Sequence, residues 1–244
     1  MPSYACLGWR SLCAGVAFGV CACALEVPGN ACERGYKFAY DGVFAEAQDH
    51  LDACLSGASS DLHQRRRALI AMGWAKSNLD DDSGASAAYD AAFQIAPVSD
   101  YAEMINASMS YKHAQRHADA LKLNIAAANW ENGKYAQSMM TQYHLGWSYQ
   151  LNGLHEKAVE AFDKAIPHQP DFAYAYWRRA VSHEAMGNAG KAKTDLNVAS
   201  SLFVDSESGR PLKLSIRAMH QEIAETYKRH GLSVPIAVNR TLSK

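Results

Sequence analysis

The sequence predicts an all-helical fold made by stacking similar helix–turn–helix units. Two observations carry that expectation. Small residues recur in triads with a period of about 34 residues, and prolines fall where the second helix of a unit has to stop. The clearest copy reads Leu145-Gly146-x-x-Tyr149, then Gly153, then Ala158-x-x-x-Phe162-x-x-Ala165 and Pro170. Gly146 is the small residue of a first helix, and Ala158 and Ala165 are those of a second. Equivalent triads are Gly35, Ala47, Cys54; Gly73, Ala85, Ala92; Ala107, Ala120, Ala127; and Ala180, Ala192, Ala199. The physical need is close approach, since two helices reach a separation of about 8 Å only where no large side chain intervenes. Pro97 and Pro170 end second helices because proline cannot continue one.

Over its five copies this pattern resembles the tetratricopeptide-repeat family. The resemblance implies a right-handed α-solenoid, with repeats at about 28–61, 66–99, 100–138, 139–172 and 173–206 inside a domain spanning 25–209. The first copy departs most, with Arg34 in place of a leucine and Cys54 in place of an alanine. The third lacks a turn glycine at Ala114-Gln115-Arg116 and runs into an irregular link, Asn129-Trp130-Glu131-Asn132-Gly133. After the repeats, Leu214, Ile216, Met219, Ile223 and Tyr227 lie near helical spacing. They predict a capping helix within 210–231 that closes the apolar end of the stack. Gly231 ends it, and 232–244 is expected to be a flexible tail.

The N-terminus differs in kind. Arg10 is the one charged residue among the first 24, an apolar run extends from Leu12 to Ala24, and Ala22-Cys23-Ala24 offers small residues before a cut. That is the pattern of a signal peptide over 1–24, and a run of roughly 13 residues falls short of the ~20 that span a bilayer. Val20-Cys21-Ala22-Cys23 also loosely matches a lipoprotein box, so lipidation at Cys23 or Cys21 is the alternative. Cleavage after Ala24 leaves two cysteines, Cys32 and Cys54, on the two antiparallel helices of the first repeat. An oxidising compartment allows them to pair. The 22-residue loop they close corresponds to roughly 3 kcal/mol in the chain-entropy picture.

No motif for chemistry survives inspection, and no enzyme activity, cofactor or metal is expected. Gly190-Lys191 lacks the hydroxyl residue and first glycine of a phosphate loop, with Ala192 and Ala185 in their places. Asp80-Asp81-Asp82 lacks the glycine and glutamate of a calcium loop. His113 and His117 share helical spacing, but no glutamate follows the first. A net charge of −1 gives no field toward nucleic acid.

Function is expected on the concave side, where the first helices of successive repeats line a groove. The stripe beside the packing face contains Tyr143, Trp147 and Gln150, and its equivalents are Tyr36 and Tyr40, Trp74, Tyr111 and Trp177. Large residues at these places also serve to pack one repeat on the next. Lys112, Gln150, Arg178 and Glu184 flank the stripe with both signs of charge, which is not the obvious carboxylate clamp that some cytosolic members carry. The resemblance therefore implies an exported adaptor of the cell envelope, periplasmic or secreted, holding a peptide or helical segment of another protein. The alternatives are a lipid-anchored outer-membrane assembly factor of the pilus or barrel type, and a glycan- or cell-wall-binding module that stacks sugars on Trp74, Trp147 and Trp177.

Overall fold

The computed structural model describes residues 29–57, 61–98, 100–203 and 214–243. The expected signal peptide, and with it Cys21 and Cys23, lies outside them. Twelve α-helices occur among the described residues, with no strand. They are α1 (Ala31–Tyr40), α2 (Phe44–Ser56), α3 (Leu62–Asn78), α4 (Asp82–Ile95), α5 (Tyr101–His113) and α6 (His117–Asn129). Then follow α7 (Met139–Leu151), α8 (His155–Ala165), α9 (Ala173–Ala185), α10 (Ala189–Leu202), α11 (Leu214–Arg229) and α12 (Ile236–Leu242). The first ten form five antiparallel pairs, each packed on the next. First helices also touch one another across repeats, α1 on α3, α3 on α5, α5 on α7 and α7 on α9, more closely than the second helices do. Successive units thus converge on the first-helix side, and the solenoid curves around it.

The small-residue triads make this packing possible. Ala47, Ala85, Ala120, Ala158 and Ala192 are fully buried, as are Ala92, Ala127, Ala165 and Ala199. The glycines of the first helices face the largest side chains of the second. A Cβ on Gly146 would stand 2.8 Å from the Phe162 ring, and one on Gly73 would stand 2.8 Å from the Tyr89 ring. The third repeat solves the same position differently. There Asn124 is fully buried, donating to Ala120 O at 3.0 Å and Ser148 Oγ at 2.8 Å while accepting from Ser108 at 3.1 Å.

The turn inside each repeat needs one residue in the left-handed region, supplied by Gly42, Asp80, Gln115, Gly153 and Gly187 with φ between 61° and 78°. Glycine adopts it freely, while a side chain costs roughly 1–2 kcal/mol there. Gln115 is the missing glycine of the third copy, held in the same geometry by its Arg116 amide bonding back to Tyr111 O at 2.7 Å.

Cys32 and Cys54 form a disulfide with a Cα–Cα distance of 4.8 Å, joining the start of α1 to the end of α2. At the other end α11 closes the stack. Ile223, Ala224 and Tyr227 pack on Trp177, Leu196 and Ala199, and the Tyr227 hydroxyl donates to Leu196 O at 2.6 Å. The chain does not fray after Gly231. It continues into α12, whose Val238 is fully buried in the same cluster. A helix this short leaves little periodicity to read, so burial rather than propensity fixes it.

Candidate functional site

The groove opens across α5, α7, α9 and α11 as a cavity of about 960 Å³. Its walls are largely apolar. Ile105 and Met109 come from α5, Met139 and Tyr143 from α7, Tyr174 from α9 and Met219 from α11. Methionine suits a surface that adapts to its occupant, because its unbranched thioether takes many shapes. A smaller cleft of about 320 Å³ lies toward the N-terminal repeats, between Trp74, Ile70, Tyr89 and Asn106.

One side of the larger groove is basic and dry. Lys112, in the last turn of α5, is 2% exposed, and its Nζ lies 3.2 Å from His144 Nδ1. It also stands 4.7 Å from the centre of the Trp147 ring. Arg178 of α9 is likewise 2% exposed, with its guanidinium 4.1 Å from that same ring centre. Arg178 donates to Gln150 Oε1 at 2.8 Å and to the Tyr143 hydroxyl. Burial pushes the Lys112 amine well below its ordinary range, and Arg178 pushes it further. His144 is held well below its ordinary range by burial first, then by Lys112, Arg178 and His113. The Tyr143 hydroxyl is raised by burial against the lowering pull of Arg178. None of these shifts has an acid as its main cause. Arg178 Nε and Trp147 Nε1 are both buried without a hydrogen-bond partner.

A tetratricopeptide-repeat profile matches residues 141–166, the helix pair α7–α8 whose first helix carries Trp147. Solved structures of that family superpose on most of the chain. MamA from MSR-1 covers 70% of this chain and 94% of its own, with TM-score 0.60 and 18% identity. A MamA fragment from Desulfovibrio magneticus RS-1 covers 71% and 96%, with TM-score 0.58 and 18% identity. YrrB, described as a TPR protein with an unusual peptide-binding site, covers 77% and 90%, with TM-score 0.59 and 14% identity. The chain carries a tetratricopeptide-repeat match at α7–α8 and has the fold of these solved structures. At these identities the structural likeness bears on the fold alone, and no curated protein matches the sequence.

Within this repeat protein the expected stripe residues separate into several environments. Tyr143 and Trp147 line the larger groove, and Trp74 lines the smaller cleft, edge-on to Phe44 at 5.7 Å. Tyr36 is half-buried at the first joint between repeats, donating to Gln64 O at 2.9 Å beneath the Arg67 guanidinium. Tyr40, at the end of α1, is 85% exposed. Tyr111 is buried and donates to Asp90 at 2.7 Å. Gln150 is buried between α7 and α9, donating to Arg178 O at 2.6 Å and Ser182 Oγ at 3.0 Å. Trp177 is fully buried, with its Nε1 donating to Thr226 of α11 at 3.4 Å. Tyr111, Gln150 and Trp177 therefore pack one unit on the next and line neither cavity. The physical reason is that a helix buried on two sides turns one aromatic stripe partly to solvent and partly to its neighbour.

Sequence reasoning paired Lys112 and Arg178 with Glu184 to reach a groove of mixed sign. Glu184 instead faces α11, accepting from Arg229 at 3.0 Å and lying 3.4 Å from His230. The groove is still of mixed sign, because Asp82 and Glu222 line it together with Lys112 and Arg178. His144 escaped notice altogether, because nothing in its local sequence marks a histidine that a lysine 32 residues away will touch. His113 lies 3.4 Å from Asp82. Among the described residues no group of three or more His, Cys, Asp or Glu gathers at metal-binding distance. The Arg65-Arg66-Arg67 run is structural as well, Arg66 pairing with Glu103 at 2.6 Å across two repeats.

Proposed function

We propose that this protein is a non-enzymatic interaction scaffold, exported to the cell envelope, that holds a polypeptide segment of a partner in its concave groove. The observation that carries the reading is the groove itself. A cavity of about 960 Å³ with adaptable apolar walls suits a row of side chains from an extended or helical segment. The peptide-binding site named for YrrB supports the same use of the fold. Export is supported by the apolar N-terminal run and by the Cys32–Cys54 disulfide, because such bonds persist in oxidising compartments. A stacking surface for sugars finds less support, since Trp177 is enclosed and Trp147 is covered by Lys112 and Arg178.

Two measurements test this. The first is the intact mass of the chain purified from an exporting host without reductant. A chain starting at Leu25, with no alkylatable thiol, is expected. Acyl chains on Cys23 or Cys21 would move the protein to a membrane and favour an assembly factor, and an uncleaved chain with reactive thiols would refute export. The second places photoreactive benzoylphenylalanine at Met140, which is 45% exposed at the rim of the groove, or at Ile125, which is 40% exposed on α6. Crosslinks to a partner are expected from Met140 and not from Ile125. Equal yields from the two positions would refute a groove-bound partner.

A further inference from the structure

A buried basic side chain without a counter-ion is costly even after the protein relaxes. The groove carries two, Lys112 and Arg178, on one indole ring, and their cation–π contacts offset only part of that cost. Lysine reduces its cost by releasing a proton, whereas arginine has no comparable neutral form. The nearby acids of the groove are engaged elsewhere or turned outward. Asp82 lies against His113 at 3.4 Å, and Glu222 of α11 is exposed at the rim. The orphaned donors, Arg178 Nε and Trp147 Nε1, are buried in the same place. Lys112, Arg178 and the two unpartnered N–H groups converge where, among the described residues, no carboxylate is bonded to either basic side chain, although Asp82 and Glu222 line other parts of the same groove.

We propose that this side of the groove reads an acidic side chain, with Lys112, Arg178 and the Trp147 indole N–H forming a subsite for the carboxylate of an aspartate or glutamate within the bound segment. The inference rests on the groove being the peptide-binding surface. Its neighbours favour a side chain over a chain end. The apolar strip runs on from Ile105 through Tyr143 and Tyr174 to Met219. The cationic groups lie one or two helical turns farther along the same helices, so they flank the strip and do not terminate it. A segment lying along the strip continues past the cations and sends one residue sideways to them. Carboxylates accept from guanidinium and indole donors in charge-assisted bonds about twice as strong as neutral ones.

The test uses the full mature chain and a seven-residue peptide library with one position fixed at a time, made both as C-terminal amides and as free acids. Among the amides, members with aspartate or glutamate at one position are expected to bind on the order of tenfold tighter than the matching asparagine or glutamine members. Arg178→Gln is expected to bring that ratio near one. Lys112→Met gives a second reading should Arg178→Gln fail to fold, and circular dichroism monitors both. The readout is the acid-to-amide ratio, which a general loss of packing does not move. A preference that depends only on the free C-terminus overturns the side-chain assignment. Binding that ignores carboxylates altogether overturns the anion subsite and leaves the groove reading standing. Binding by no member overturns both.

Discussion

The same substitution, glycine to alanine, should have opposite effects at two helical positions of this protein. In α7 a Cβ on Gly146 would lie 2.8, 2.9 and 3.0 Å from three ring carbons of Phe162. That ring is fully buried, with the Tyr143 ring at 6.2 Å, and has little room to withdraw. Overpacking of this kind costs about 1–3 kcal/mol. Removing a helical glycine returns up to about 1 kcal/mol, so Gly146→Ala should destabilise by about 1 kcal/mol net. In α10 a Cβ on Gly190 would meet nothing within 4 Å, so Gly190→Ala keeps the propensity gain alone. Urea unfolding of both variants, read at constant slope, gives the comparison. The double variant Gly146→Ala with Phe162→Leu should recover part of the loss specific to the first change, since a smaller side chain then faces the new methyl. Equal stabilisation at the two sites would refute the argument that ring contact, and not backbone freedom, dictates glycine at this position.

Gln115→Gly should stabilise by about 0.5–1 kcal/mol, because relief of a left-handed side chain exceeds the added freedom of the unfolded glycine; thermal unfolding checks it, and destabilisation would mean the side chain contributes something the turn needs. Replacing Cys32 and Cys54 together by serine should lower stability by roughly 3 kcal/mol, so that the variant's urea midpoint falls below that of the oxidised wild type; an unchanged midpoint would show that the first repeat holds without its cross-link. The third concerns acid. His144 has a folded-state pKa well below its ordinary 6.5, so the unfolded chain binds the extra proton, and stability complete above that pH is lost as pH falls below it. One such histidine contributes a slope of up to ~1.4 kcal/mol per pH unit. His144→Gln should flatten the stability profile below pH 6.5 by that amount, and an unchanged profile would show that His144 titrates freely in the folded state.

The fold was legible because its rule is local and repeated. Gly146 against Phe162, Gly73 against Tyr89 and Gly35 against Leu51 are one contact written three times, and repetition is visible in a linear string. Asn124 hid from the same reading, since a buried asparagine is stable only through partners on α5 and α7. The groove was legible in part. Helical spacing placed Tyr143 and Trp147 beside one another, but it gave Trp177 the same standing, and only the docking of α11 decides that this indole is core.

A stack of helix pairs, the helices that line its inner curve, and the two cysteines of the first pair can all be read along the chain. These follow from periodicity and residue size, which neighbouring positions share. Which charges meet on one side of the groove is a matter of the fold. Lys112, His144 and Arg178 come from three repeats, and Glu184, which balances them on paper, is drawn away by Arg229 and His230 of α11. Charge acts over distance in space, and a count along the chain does not record which charges the fold brings face to face.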